Sequence, residues 1–148
     1  MKPTTPTKQP TQSALQNLLL QYEKDIDLNE ETLDVLSLSI PKKLSKYQIY
    51  FYYILEELAS ANERLDSLYH DSFMDWKYNQ GKYASIKFSA TEINKILKTD
   101  TIYLSQATKV VRLENELKMI EEMMNTVRNL GFSLNNRIML RRIECGLI

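Results

Sequence analysis

Residues 103–141 have the sequence YLSQATKVVRLENELKMIEEMMNTVRNLGFSLNNRIMLR, in which apolar side chains recur at alternating steps of three and four. The positions of this seam are Tyr103, Gln106, Val110, Leu113, Leu117, Ile120, Met124, Val127, Gly131, Leu134 and Ile138. Two positions in every seven is the repeat that keeps one side of an α-helix apolar over many turns. A helix from Thr101 to about Cys145 would be about 65 Å long. Because that is longer than a small domain is wide, the helix needs a partner.

The first half of the chain contains a second seam with the same spacing. Its positions are Leu44, Tyr47, Phe51, Ile54, Leu58, Ala61, Leu65 and Leu68, and it stops at Ser72 and Asp75. Two long amphipathic helices joined by a short irregular segment predict an all-α fold built on an antiparallel helical hairpin. Tyr50, Tyr52 and Tyr53 do not all fit on this seam. Several tyrosines away from a core indicate either a subunit interface or ordinary surface, and both interpretations stay open.

Shorter elements are expected before the hairpin. Residues 1–12 contain three prolines among polar residues, so we predict a disordered tail, with residues 13–148 forming a single helical domain. Residues 13–24 have helical spacing, and Asn29 can begin a second short helix that ends near Ile40. Pro41 then predicts a boundary, with the first long helix starting near Lys42 and ending near Tyr78.

The connector between the two long helices has mixed signals. Residues 82–88 alternate as in a strand, so we expect an extended segment that pairs only if another chain provides an edge. Ser89 and Glu92 form a capping-box pattern for a helix to about Lys98. Thr99 or Asp100 is expected to cap the final helix.

Composition excludes several classes of function. The chain has one histidine, one cysteine and three glycines, too few for a zinc or copper site, an intramolecular disulfide or a phosphate-binding loop. No nucleophile and base are suitably spaced, so we expect neither an enzyme nor a cofactor. The apolar runs are too short to span a bilayer, so we expect no membrane association. The lone Cys145 fits a reducing cytoplasm.

Positive charge is concentrated in one segment although the net charge is zero. Residues 77–98 contain five lysines and one acid. Aromatic residues lie between and beside the first three of these lysines. We predict a single-stranded DNA site formed by Trp76, Lys77, Tyr78, Lys82, Tyr83 and Lys87, because lysines neutralise phosphates and aromatic rings stack on bases. The alternative is a solvated connector whose aromatic side chains pack back onto the hairpin.

A second basic cluster lies near the C-terminus and consists of Arg128, Arg137, Arg141 and Arg142. Arginines near the C-terminal end of a helix interact favourably with the negative end of the helix dipole. Alternatively, they pair with acidic residues of a neighbouring subunit.

Several short matches, in order and at consistent spacing, resemble the UvsY family of recombination mediators of T-even-like tailed phages. They are Ile40-Pro41, Ser45-Lys46-Tyr47, the aromatic stretch Trp76–Tyr78, the capped segment Ser89–Asp100, Gly131-Phe132, Arg141 and Glu144-Cys145-Gly146. The resemblance extends from about Leu28 to the C-terminus.

This resemblance implies a ring-like homo-oligomer, hexamer or heptamer, that binds single-stranded DNA in the host cell cytoplasm during infection. It also implies two protein partners, a RecA-like recombinase of the UvsX type and the phage single-strand-binding protein that the recombinase displaces. The C-terminal helix would mediate assembly through Gly131, Phe132, Leu134, Ile138 and Arg141.

One departure from the family concerns the DNA contact. Where members carry a Lys and an Arg one residue apart, this chain has His70 and Ser72, with Asp71 between them. We therefore expect Lys77, Lys82 and Lys87 to substitute for that contact. The alternative function is a structural coiled-coil or phage assembly protein that does not bind DNA.

Overall fold

The computed structural model describes residues 12–27, 32–78 and 83–147. Within these ranges it contains four helices and no β-strand: α1 is Gln12–Asp25, α2 is Leu33–Lys77, α3 is Ala90–Leu97 and α4 is Thr101–Glu144. The predicted all-α hairpin is confirmed, and both long helices end within a residue of the predicted positions. The predicted disordered tail falls on residues 1–11, which lie outside the described residues, and on Gln12, which begins α1.

The start of α2 differs from the prediction. Residues 33–41 are not a separate short helix before a boundary at Pro41; they form the first turns of α2, and Pro41 lies inside it. The predicted cap Asn29 lies outside the described residues. Proline disfavours a helix interior because it lacks the N–H that would bond to the carbonyl four residues earlier. Here Leu36 and Ile40 are both buried, so packing of this segment outweighs the local preference.

The capping predictions are confirmed. The Ser89 hydroxyl accepts from the Glu92 N–H, and the Glu92 carboxylate accepts from the Ser89 N–H at 2.8 Å, which completes the capping box of α3. One carboxylate oxygen of Asp100 accepts from the N–H of Ile102 at 2.8 Å and from that of Tyr103 at 3.3 Å. Asp100, rather than Thr99, therefore caps α4.

The chain divides into two compact units, and α2 and α4 contribute to both. The first unit comprises residues 1–47 and 122–148. Within it the two helices are antiparallel: Ser37 donates a hydrogen bond to Asn135 at 2.7 Å, and Ile40 contacts Gly131 one turn further along. Its buried apolar side chains are Leu18, Leu36, Ile40, Tyr47, Met123, Met124, Val127 and Leu134.

In the first unit, α1 is attached to α2 through its last residue. One carboxylate oxygen of Asp25 accepts a hydrogen bond from the Tyr47 hydroxyl at 2.7 Å and forms a salt bridge with Lys46 at 2.8 Å. The Tyr22 ring meets the Tyr47 ring edge to face, with centroids 6.1 Å apart. Because Asp25 is nearly buried, these bonds replace water around its charge.

The second unit comprises residues 48–121. Here too α2 and α4 are antiparallel: Tyr50 donates to Glu116 at 2.8 Å, and the Gln106 side chain donates to the Ala61 carbonyl at 2.8 Å. The buried apolar side chains are Ile54, Ala61, Ile93, Leu97, Val110, Leu113 and Ile120. Both Ile93 and Leu97 belong to α3, which is thus fixed in this unit by its apolar face.

Both weak positions of the α4 seam are explained by their neighbours. Gln106 sits at an apolar position because its amide bonds to a backbone carbonyl of α2. At Gly131 the position that a Cβ would occupy lies 3.1 Å from Cγ2 of Ile40, closer than an ordinary contact. The missing side chain therefore allows Ile40 to reach the α4 backbone.

Candidate nucleic-acid interface

The basic segment predicted to bind DNA belongs to the second unit and connects α2 to α3. Lys77 is the last residue of α2, and Tyr78 follows it. Residues 79–82 lie outside the described residues, and Lys82 is among them. Tyr83–Ser85 then form a turn in which the Tyr83 carbonyl accepts from the Ile86 N–H at 2.9 Å. The strand-like alternation of residues 83–88 thus yields a turn followed by an irregular stretch.

Three aromatic side chains of this segment pack on one another. The Tyr83 ring stacks on Trp76 with centroids 6.3 Å apart and planes 22° apart, and Phe88 meets Trp76 edge to face at 5.3 Å. Trp76 and Phe88 are consequently half-buried. Trp76 and Phe88 thus pack against each other, and Trp76 supports the Tyr83 ring.

Two tyrosine rings of the segment stay open to solvent. Tyr78 is 61% exposed and Tyr83 is 45% exposed. The Lys77 ammonium lies 5.6 Å from the centroid of the Tyr78 ring, within the range of a cation–π contact. The segment thus places a positive charge, which can neutralise a phosphate, beside an accessible aromatic ring, on which a base can stack.

The described lysines of the segment are also open to solvent. They are Lys77, Lys87, Lys95 and Lys98, and none of them forms a salt bridge with another described residue. The single acid, Glu92, is occupied in the capping box. Its hydrogen bonds from the Ser89 backbone and hydroxyl lower the pKa of the Glu92 carboxyl group, so it is ionised but turned toward the helix end.

Side chains of the second unit hold this segment against α2. Tyr69 of α2 hydrogen-bonds to Asn94 of α3, and its ring stacks on Phe73 at a centroid distance of 6.0 Å. Tyr103 at the start of α4 packs against the same Tyr69 ring at 6.3 Å. These contacts fix α3, and so the lysines at its end, relative to the end of α2.

Comparison with known proteins establishes the family. The family model "Recombination, repair and ssDNA binding protein UvsY" matches residues 21–147. The chain belongs to the UvsY family. A crystal structure of the bacteriophage T4 recombination mediator protein UvsY has the same fold, with a TM-score of 0.72 and 16% sequence identity over 88% of this chain and 97% of that one. No curated protein sequence gives a significant match.

His70 and Ser72, which stand where the family resemblance implies two cations, lie on α2 with Asp71 between them. His70 and Asp71 are exposed, and Ser72 is half-buried. The residue between these two positions, Asp71, is therefore an exposed acid. This surface is less favourable to phosphate than the lysine segment that follows it.

The residues predicted to mediate assembly fall into two groups. Gly131 and Leu134 are buried within their own chain, and Ile138 is half-buried. Phe132 is 67% exposed and Arg141 is exposed, so these two are accessible to a neighbour. The other C-terminal arginines, Arg128, Arg137 and Arg142, are exposed as well.

Sequence reasoning missed a set of exposed apolar residues beside Phe132. They are Met139, Leu140, Ile143 and Leu147. Phe132, Asn136, Met139 and Ile143 follow steps of four, three and four, a second stripe offset by one residue from the buried seam. This spacing could have revealed the exposed residues from the sequence. It was overlooked because the buried seam already accounted for most apolar residues of the helix.

No helix in the part of the chain that the structure describes is long and apolar enough to cross a membrane. Among the same residues, no cluster of three or more His, Cys, Asp or Glu side chains could hold a metal ion.

Proposed function

We propose that this chain is a recombination mediator that binds single-stranded DNA and helps to load a RecA-like recombinase of the UvsX type onto it. The observation that carries the proposal is the match of the UvsY family model to residues 21–147. The DNA would be covered by the phage single-strand-binding protein before loading. The chain would act as a ring-like hexamer or heptamer in the cytoplasm of the infected host cell.

The proposed DNA contact is the segment from Trp76 to Lys98. Lys77, Lys82 and Lys87 neutralise phosphates, while Tyr78 and Tyr83 stack on bases and Trp76 supports the Tyr83 ring. A single copy of such a segment binds weakly. In a closed oligomer, the copies raise the effective concentration of binding sites along one strand, so the overall affinity rises steeply.

The contact is tested by charge reversal at Lys77 and Lys87. Both side chains are exposed and form no salt bridge with a described residue, so the Lys77→Glu, Lys87→Glu variant should fold normally. We expect it to lose binding to a labelled single-stranded oligonucleotide in low salt, measured by fluorescence anisotropy. Lys82→Glu with Lys87→Glu is expected to behave in the same way.

The matched control reverses two exposed lysines elsewhere, Lys42→Glu with Lys118→Glu. It changes the net charge by the same amount, so it reports the effect of the overall field. A small loss in the control and a large one in the segment variant support the proposed contact. Equal losses in both would show that binding depends on net charge and not on this segment.

Stacking is tested separately at Tyr78 and Tyr83. Replacing both by Ala should weaken binding by about 1 to 3 kcal/mol per base contact, because aromatic stacking contributes that much in single-strand sites. Replacing both by Phe retains the rings and should leave the affinity nearly unchanged. Equal affinities for the Ala and Phe variants would exclude a stacking role.

Recombinase loading requires its own assay. A RecA-like recombinase is added to single-stranded DNA covered by the phage single-strand-binding protein, and filament assembly is followed through the ATP hydrolysis of the recombinase. The chain should shorten the lag before hydrolysis, and the Lys77→Glu, Lys87→Glu variant should not. An unchanged lag with the wild-type chain would contradict a mediator role while leaving DNA binding intact.

A further inference from the structure

A pocket of about 270 Å³ lies between α2 and the first turns of α4, within the second unit. Arg64 and Leu68 line it from α2, and Thr101, Ile102 and Ser105 line it from α4. Its polar groups are a guanidinium and two hydroxyls, all of which can donate hydrogen bonds. At about 30 Å³ for each water molecule, the pocket has room for a phosphate group.

Arg64 is an isolated cation on α2. It is the only lysine or arginine between Lys46 and Lys77, a stretch that carries six acidic residues. Within the described part of the chain, none of these acids forms a salt bridge with Arg64. Glu63 and Asp66 are only one and two residues away, so they point to other sides of the helix. The donors of Arg64 are therefore available to a ligand in the pocket.

The side of α4 that lines the pocket carries two further cations. Lys109 and Arg112 follow Ser105 by four and seven residues, so they lie on the same side of the helix. They precede Glu116 by seven and four residues, and Glu116 accepts a hydrogen bond from Tyr50 of α2 at 2.8 Å. The row from Ser105 to Glu116 thus follows the edge where α4 meets α2.

We call Arg64, Lys109 and Arg112 the basic edge. Arg64 and Arg112 are exposed, and Lys109 is half-buried. None of the three forms a salt bridge with another described residue. From the pocket to the Tyr50–Glu116 bond the edge covers eleven residues of α4, or about 17 Å at about 1.5 Å per residue. A strand with one phosphate every 3.4 Å would place about five phosphates over that distance.

The acids near the basic edge are mostly engaged in hydrogen bonds. Glu116 accepts from the Tyr50 hydroxyl, and Asp100 accepts from two N–H groups at the start of α4. Glu57, seven residues before Arg64 on the same side of α2, is half-buried and has no such bond to a described residue. Three cations therefore accompany one free acid, and the edge keeps a positive charge.

Tyr53 adds an aromatic ring to this edge. It lies four residues before Glu57 on α2, and its side chain is 40% exposed. The ring leans against that of Tyr50, with centroids 6.3 Å apart. Since Tyr50 contacts Glu116 and the helices are antiparallel, Tyr53 lies at about the level of Arg112. A cation and an accessible ring thus occur together here, as they do in single-strand sites.

We propose that the basic edge is a second contact for single-stranded DNA, separate from the segment from Trp76 to Lys98. Arg64 and the hydroxyls of Thr101 and Ser105 bind one phosphate in the pocket, since a guanidinium can donate two parallel hydrogen bonds to it. Lys109 and Arg112 neutralise phosphates further along the edge. This inference rests on the proposed function, because it assigns a further part of the path of the strand.

Neutralising the edge tests the contact. In Arg64→Gln with Arg112→Gln, both changed side chains are exposed and have no salt bridge to a described residue, so the fold should be retained. Binding to labelled oligo-dT is measured by fluorescence anisotropy. At about 50 mM salt, the affinity should fall about tenfold for each contact removed, and the slope of log K against log salt should decrease by about 0.7 for each.

The matched control is Lys42→Gln with Lys118→Gln, which removes the same net charge from exposed positions elsewhere. It should leave the slope unchanged, because neither lysine lies on the basic edge or in the segment from Trp76 to Lys98. Equal losses of affinity in the control and in the Arg64 and Arg112 variant would overturn the inference, since they would show an effect of net charge alone.

Chemical modification locates the strand on the wild-type chain without any substitution. An amine-reactive ester is added with and without saturating oligo-dT, and mass spectrometry measures the modification of each lysine. Bound DNA should protect Lys109. Lys118 lies nine residues later, on the opposite side of α4, and should react equally in both samples. A Lys109 that reacts equally with and without bound DNA would contradict the inference.

The same measurements keep the two proposals apart. If the wild-type chain binds DNA, and neutralising Lys77 and Lys87 weakens binding while neutralising Arg64 and Arg112 does not, the basic edge is excluded and the proposed function stands. If the wild-type chain binds no single-stranded DNA even at the lowest salt, the proposed function fails, and the inference fails with it.

Discussion

Gly131 and Ile40 form a contact in which an absent side chain sets the separation of two helices. A Cβ at Gly131 would lie 3.1 Å from Ile40 Cγ2, so a larger residue must displace Ile40 or the α2 backbone. We expect Gly131→Leu to lower the free energy of unfolding by about 1 to 3 kcal/mol, the usual cost of overpacking. Denaturant unfolding measures this change.

The double variant Gly131→Leu with Ile40→Ala tests whether the two residues act through one contact. Ile40→Ala alone should cost about 2 to 5 kcal/mol, because it leaves a cavity in the first unit. Since the leucine can fill part of that cavity, the double variant should be less destabilised than the two single changes added together. Simple additivity would show that the cost at Gly131 arises elsewhere.

Tyr47 and Tyr50 make stability depend on alkaline pH. Burial, followed by a hydrogen bond to Asp25 or Glu116, raises the pKa of each hydroxyl well above its ordinary value. An unfolded tyrosine ionises near pH 10, whereas these two stay protonated in the folded chain. The unfolded state therefore binds fewer protons above about pH 10, and stability falls as the pH rises through that value.

We expect Tyr47→Phe with Tyr50→Phe to lose about 3 to 6 kcal/mol at neutral pH, the sum of two hydrogen bonds to carboxylates at about 1.5 to 3 kcal/mol each. The same variant should lose less stability than the wild type between about pH 9 and 11, because it lacks the two titrating groups. Urea unfolding at neutral pH measures the first effect, and urea unfolding between about pH 9 and 11 measures the second. Tyr52→Phe removes an exposed hydroxyl and serves as the control. A parallel decline in the wild type and the double variant would contradict the assignment.

At the scale of the helices, Pro41 is the position where local preference and packing disagree. Proline has no N–H to donate to the Ser37 carbonyl, four residues earlier, and Pro41 is exposed. We expect Pro41→Ala to raise the free energy of unfolding by about 1 to 2 kcal/mol. Removing the proline stabilises the helix by about 3 kcal/mol. The greater conformational freedom of the unfolded chain offsets part of this stabilisation. A lower melting temperature would show that the proline ring supports α2 in a way its exposure does not suggest.

The elements were largely predictable because their signals are local and periodic. The α4 seam, the Ser89–Glu92 capping box and the cap at Asp100 each depend on spacing within a few turns. The start of α2 was not predictable from Pro41, because the buried Ile40 contacts Gly131, more than eighty positions later in the sequence. Likewise, the bonds of Asp25 to Lys46 and Tyr47 depend on how α1 meets α2.

The basic segment could be located from the sequence, but its internal arrangement could not. Alternating lysines and aromatic residues indicate where phosphates and bases would bind. Which rings stay exposed depends on the turn at Tyr83–Ser85, which brings Tyr83 onto Trp76 and leaves Tyr78 in solvent. Residues 79–82, including Lys82, lie outside the described residues.

At the scale of the whole molecule, the account depends on the difference between net and local charge. The chain is neutral overall, yet residues 77–98 carry a net charge of +4. Attraction for a polyanion must therefore come from local concentrations of positive charge and not from the net charge of the molecule, and we propose this segment as its source. In an oligomer the segment is repeated, so binding should release several counterions and depend strongly on salt.

The most direct test of this account is fluorescence anisotropy of a labelled single-stranded oligonucleotide with the wild-type chain, from about 50 to 500 mM salt. We predict binding in low salt and a linear fall of log K with log salt concentration. A single neutral substitution, Lys77→Gln or Lys87→Gln, should weaken binding and decrease the slope by about 0.7 for each lysine contact removed. Failure to bind at the lowest salt, or binding that salt does not weaken, would contradict a mediator that holds single-stranded DNA through these lysines.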